Sequence, residues 1–143
     1  MNRNELLERI ENVVEEILTA FDVDQPPIPV ELMLRNPPDG MWDGFDLTEL
    51  STTFLTLSDR FAPRMSVVRL LARNIVRSEW GIERELQGIV DDGELIRYFA
   101  RAIVMPRSMI DELENPLSAS VSTRFEVPEE DAEIRLRDLG EIK

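Results

Sequence analysis

Arg69, Arg73 and Arg77 recur at four-residue steps inside an otherwise apolar stretch, and Arg97 and Arg101 repeat the spacing further on. Residues four apart on a helix share a face, so each set forms a stripe of guanidiniums. A guanidinium stays charged, donates hydrogen bonds and neither accepts them nor moves protons at ordinary pH. Its chemistry is the recognition of carboxylate or phosphate. The rest of the chain narrows the field further. Histidine and cysteine are both absent, which excludes imidazole bases, thiolate nucleophiles, disulfides and zinc sites built on nitrogen and sulfur. A carboxylate site for magnesium or calcium stays open in principle. However, Asp22-x-Asp24 lacks the length, the glycine and the closing glutamate of a calcium loop. No metal and no cofactor is expected.

The charge surrounding those stripes is uneven. The 143 residues carry a net charge of -13. Residues 60–107 hold nine arginines against six acids, net +3, whereas 1–59 carry -10 and 108–143 carry -6. Between Arg60 and Ser78 there are five arginines and no acid. An acidic chain repels phosphate backbones on average, so direct nucleic-acid binding is not expected. No apolar run approaches the roughly 18 residues of a membrane span, and the polar opening Asn2-Arg3-Asn4-Glu5 is unlike a signal peptide. A cytoplasmic protein of one domain is expected.

Several elements must position the arginines. Leu6, Leu7, Ile10, Val13, Val14, Ile17, Leu18 and Phe21 predict a first helix, capped by Asn2 or Asn4 and ending before Pro26-Pro27. A short helix is expected from Val30 to Leu34, with Pro29 in its first turn. Met41-Trp42 and Phe45 suggest a strand start or a packed loop, and Ser51 to Ser58 alternates like a strand. A mostly buried helix from Pro63 to about Trp80 carries the Arg69, Arg73 and Arg77 stripe, with Ser66 and Asn74 beside it. Glu94 to Val104 predicts the helix of Arg97 and Arg101. A short helix capped by Ser108 follows, then one over Leu117 to Phe125. A last helix runs from Pro128 to Leu139, with Gly140 as its terminator. The closing pair has helix-turn-helix spacing, but Glu129, Glu130 and Asp131 open its second helix and oppose DNA.

Three stretches resemble the ImmA/IrrE family of metallopeptidase-like proteins, in order and across roughly the whole chain. Phe99-Ala100-Arg101-Ala102-Ile103-Val104-Met105-Pro106 is similar to its "FA..LLMP" signature. Residues Arg124 to Leu136 resemble its closing "RFGVSxEAxxxRL" hairpin, and Pro29-Val30-Glu31 its "PVxxEEIA" helix entry. The resemblance implies an α+β, predominantly helical, zincin-like domain with one to three short strands and a C-terminal helical hairpin. Residues 1–25 would form the N-terminal helix, 26–107 a degenerate peptidase-like core and 108–143 the hairpin.

The family's His-Glu-x-x-His helix matches Leu71-Ala72-Arg73-Asn74-Ile75-Val76-Arg77. Arg73 and Arg77 stand where the histidines would be, Asn74 in place of the general-base glutamate, and Glu94 near the third ligand. Guanidiniums repel a metal ion and Asn74 takes no proton from water, so the resemblance implies a pseudo-peptidase without catalysis. The preferred packing reading pairs Arg69, Arg73 and Arg77 with Glu94, Asp91, Asp92 or residues of the acidic first half as a clasp in place of the metal. The alternative is an anion or partner site formed by Arg69, Arg73, Arg77, Arg97 and Arg101. As a function, the resemblance implies a regulatory protein-interaction module, with a basic helix-turn-helix regulator as partner. An enzyme of unrelated carboxylate and arginine chemistry, or a structural subunit of a larger assembly, are the other classes considered.

Overall fold

A computed structural model describes residues 2–41 and 61–142 of the chain. Helix α1 (Arg3–Ala20) leads to α2 (Val30–Arg35), and α3 (Ala62–Arg77) is followed closely by α4 (Glu79–Glu83). A 3₁₀ turn (Gln87–Ile89) introduces α5 (Gly93–Val104). Then come α6 (Arg107–Asp111), α7 (Ser118–Phe125) and α8 (Glu129–Ile142). Among the described residues there is no strand. The α+β, zincin-like architecture with a small sheet is therefore corrected to one that is all-helical over the described residues. The physical reason lies in the patterning. The described segments repeat apolar residues at helical spacing and close their backbone hydrogen bonds within each helix. The strand expected at Ser51 to Ser58, and Trp42 to Phe45, lie outside the described residues.

Helix α5 is the centre of the fold. It packs against α1, α3, α8 and the 3₁₀ turn. Eight of its residues are buried: Leu95, Ile96, Tyr98, Phe99, Ala100, Ala102, Ile103 and Val104. Each large apolar side chain taken from water there contributes about 1.5–3 kcal/mol. Asp92 caps the helix, its carboxylate accepting from the backbone N–H groups of Glu94 and Leu95. Helix α1 presents Ile10, Val13, Val14, Ile17 and Leu18 to the core and is capped by Asn2. Among the described residues, no helix is long and apolar enough to cross a membrane.

Local chemistry moves three helix boundaries. Helix α3 stops at Arg77 because the Ser78 hydroxyl donates to the Ile75 carbonyl and accepts from Gly81 N–H, ending one helix and capping the next. Gly81 makes that junction possible, since a Cβ there would lie 2.1 Å from the Ile75 carbonyl oxygen. Helix α6 starts after Pro106 with no side-chain cap, so Ser108 is not its cap. Gly140 does not end α8, which runs on to Ile142.

Candidate functional site

Helix α3 buries Met65, Val68, Leu70, Leu71, Ala72, Ile75 and Val76. That leaves Ser66, Arg69, Arg73 and Arg77 on the remaining face. Packing of α3 on α5 sets part of this stripe beside Arg97. Arg69, Arg73, Val90, Asp91, Gly93, Ile96 and Arg97 line a concavity of about 440 Å³. A second concavity, of about 320 Å³, shares Arg97 and adds Arg3, Glu94, Tyr98, Arg101, Ile134, Arg137 and Asp138. The guanidiniums are close enough to feel one another. Burial is the largest influence lowering the Arg69 pKa; Asp131 opposes it, and the like charges of Arg73, Arg101 and Arg97 add to it. An arginine starts so high that Arg69 stays protonated.

The two concavities differ in how their charge is answered. In the smaller one, Arg3 pairs with Glu94 at 3.6 Å, Arg101 with Asp131 at 3.1 Å and Arg137 with Glu133 at 3.3 Å. In the larger one, Arg69 makes a single side-chain bond, to the Ser66 hydroxyl at 3.3 Å. Arg73 and Arg97 are exposed, and among the described residues neither carries an ion pair.

Among the described residues the expected clasp of Arg69, Arg73 or Arg77 with Glu94, Asp91, Asp92 or an acid of the first half is not formed; Asp43, Asp46, Glu49 and Asp59 lie outside the described residues. Glu94 has turned to Arg3, and Asp92 is committed to capping α5. The four positions matched to a metal site do not converge either. Arg73 faces the larger concavity, Glu94 lines the smaller, and exposed Arg77 lines neither. Asn74 donates to the Leu70 carbonyl of its own helix at 2.8 Å. Among the described residues, no cluster of three or more carboxylates is able to hold a metal ion.

The arginine–carboxylate clasp that does exist was missed by sequence reasoning. Arg135 on α8 is fully buried. Its Nη1 and Nη2 donate to the two oxygens of buried Glu11 on α1, each at 2.7 Å. Its Nε donates to the Met105 carbonyl at 3.0 Å. Tyr98 on α5 donates its hydroxyl to the same Glu11 carboxylate at 2.5 Å. Burial alone would raise the Glu11 pKa, but Arg135 and the Tyr98 bond more than offset it and hold the carboxyl below the ordinary value. Burial, then the bond to Glu11, pushes the Tyr98 hydroxyl well above its usual range. Three helices are joined at one fully hydrogen-bonded point. A signal for it was present: Glu11 interrupts the apolar stripe of α1 between Ile10 and Val14, and Arg135 lies on the face of α8 shared by Ala132 and Leu139.

The hairpin of α7 and α8 docks through this clasp and through Arg101–Asp131. Asp131 is thereby turned inward. Arg64 of α3 adds a further tie, donating to the Ile28 and Glu126 carbonyls at 3.0 Å each. Comparison with protein-family models, with characterised proteins and with solved structures returns no match.

Proposed function

We propose that this chain is a non-catalytic binding module that holds an anionic group of a protein partner against Arg69, Arg73 and Arg97. One observation carries the reading. In a chain of net charge -13, the arginines of the larger concavity are left without a carboxylate in bonding range among the described residues, while Arg3, Arg101 and Arg137 next door are paired. Guanidiniums that no carboxylate among the described residues engages have donors to offer a ligand, and clustered guanidiniums are the usual receptors of carboxylate and phosphate. The role is recognition and not turnover, because guanidiniums supply neither a base nor a nucleophile. A basic helix-turn-helix regulator, the partner class implied by the family resemblance, would present that anionic group to the cluster while its basic surface meets the acidic remainder of the chain.

The test is thermal unfolding in chloride, phosphate, sulfate and a glutamate-rich peptide at equal ionic strength. Binding raises stability by about 2.7 kcal/mol at a ligand concentration a hundred times Kd. A rise with at least one of the anionic probes, lost in the Arg73→Ala/Arg97→Ala variant and kept in Arg77→Ala, is the expected result. Identical melting in every salt and with the peptide would overturn the proposal.

A further inference from the structure

The larger concavity carries a specific excess of charge. Its lining residues include Arg69, Arg73, Arg97 and Asp91, a net of two positive charges within the lining; Asp131, paired with Arg101, acts on Arg69 from outside it. A carboxylate ligand would answer one of the two charges and leave the other. A dianion answers both. The number of oxygens points the same way. A carboxylate offers two coplanar oxygens, which a single arginine can satisfy bidentately, whereas a phosphate monoester offers three acceptor oxygens arranged tetrahedrally. Three guanidiniums approach this site from two helices, Arg69 and Arg73 from α3 and Arg97 from α5.

The floor is suited to the same group. Gly93 opens α5 and adds no side chain. Asp92 occupies the N–H groups of Glu94 and Leu95, and the Gly93 N–H makes no hydrogen bond among the described residues. Val90 and Ile96 supply apolar wall for the carbon body that bears the anion. The volume, about 440 Å³, accommodates a phosphorylated side chain with part of its backbone. The chain's overall charge of -13 works against a continuous nucleic-acid backbone.

We infer that the group taken by this concavity is a phosphate monoester dianion, borne by a phosphorylated side chain of a partner or by a free phosphorylated small molecule. The inference rests on the anion-binding reading and narrows it. Isothermal titration calorimetry of the full chain separates the two. The probes are a phosphoserine peptide, the same peptide with glutamate in place of phosphoserine, and phenyl phosphate, each at pH 7.5 and pH 5.0.

Both phosphate probes should bind at least tenfold tighter than the glutamate peptide at pH 7.5. They should lose about tenfold in affinity at pH 5.0, since the second ionisation of a phosphate monoester falls near pH 6. A phosphopeptide that outbinds phenyl phosphate identifies a protein-borne phosphate. Equal affinities identify the free phosphate group as the whole determinant. Asp91→Asn should tighten phosphate binding, Arg97→Gln should weaken it, and Arg77→Ala should leave it unchanged. Equal binding of the glutamate peptide, or phosphate binding indifferent to pH, sinks the dianion inference while leaving an anion site standing. Absence of binding by all three probes removes the underlying reading as well.

Discussion

Replacing Glu11 by glutamine keeps the shape of the side chain and removes its charge from the buried clasp. Arg135 then holds a guanidinium in a fully buried position with no counter-ion. Of its two 2.7 Å bonds to Glu11, one survives on the amide oxygen, while the amide nitrogen meets a guanidinium N–H donor to donor. Removing one partner of a buried pair costs about 3–5 kcal/mol. For a domain of this length that corresponds to a fall in melting temperature of about 6–20 °C. Urea unfolding followed by circular dichroism gives the free energy directly. The combined variant Glu11→Leu/Tyr98→Phe/Arg135→Met removes every polar side chain of the clasp, leaving only the Met105 carbonyl without its donor, and should lie within about 2 kcal/mol of the natural chain, because nothing charged is left unpaired. A loss under 1 kcal/mol for Glu11→Gln, or a combined variant less stable than Glu11→Gln, would refute the reasoning.

The same clasp sets the response to acid and alkali. The folded pKa of Glu11 is depressed, so its contribution is complete above the ordinary carboxylate pKa, about 4.3. It is lost as pH falls through the folded value, because the unfolded state binds the proton first. An acid titration of unfolding free energy should lose this component in Glu11→Gln; an unchanged acid limb would contradict it. Tyr98 is raised, so stability should be full below about pH 10 and decline above it, with the decline reduced in Tyr98→Phe. Gly81→Ala must displace backbone at the Ile75 carbonyl and should cost about 3 kcal/mol or more; melting temperature checks this, and a neutral result would show that the α3–α4 junction can relax. Glu126 holds left-handed backbone at φ 57°, so Glu126→Gly should stabilise by about 0.5–1 kcal/mol, and a loss of stability would show that the side chain matters more than the backbone.

Much of the helical order is readable from local pattern. The stripe from Leu6 to Leu18 and the Asn2 cap specify α1, and Pro106 specifies the end of α5. These signals are short-range, as are the caps and prolines that bound each helix. The boundaries that moved depend on contacts made only after packing. Ser78 can end α3 because Gly81 lets α4 approach the Ile75 carbonyl. The sheet expectation rested on one alternating segment and on family resemblance, and the described residues support neither strand nor sheet. At the candidate site, the stripe of Arg69 and Arg73 and the separate stripe of Arg97 and Arg101 were legible from spacing. Their sorting was not. Arg101 is taken by Asp131, thirty residues on, and Arg77 falls outside the concavity, neither of which helical periodicity encodes. Glu11 and Arg135 are 124 residues apart. Among the many acids of α1, only the position of Glu11 on the apolar stripe distinguished it.

The most direct measurement is the arginine side-chain N–H spectrum of ¹⁵N-labelled protein during phosphate titration. Each Nε–H reports its own guanidinium, and point variants assign the signals. Signals from Arg69, Arg73 and Arg97 should shift together and saturate, while Arg77, Arg124 and the buried Arg135 stay in place. Uniform small shifts of all exposed arginines, or saturation at Arg77 or Arg124 without the other three, would contradict an anion site between α3 and α5.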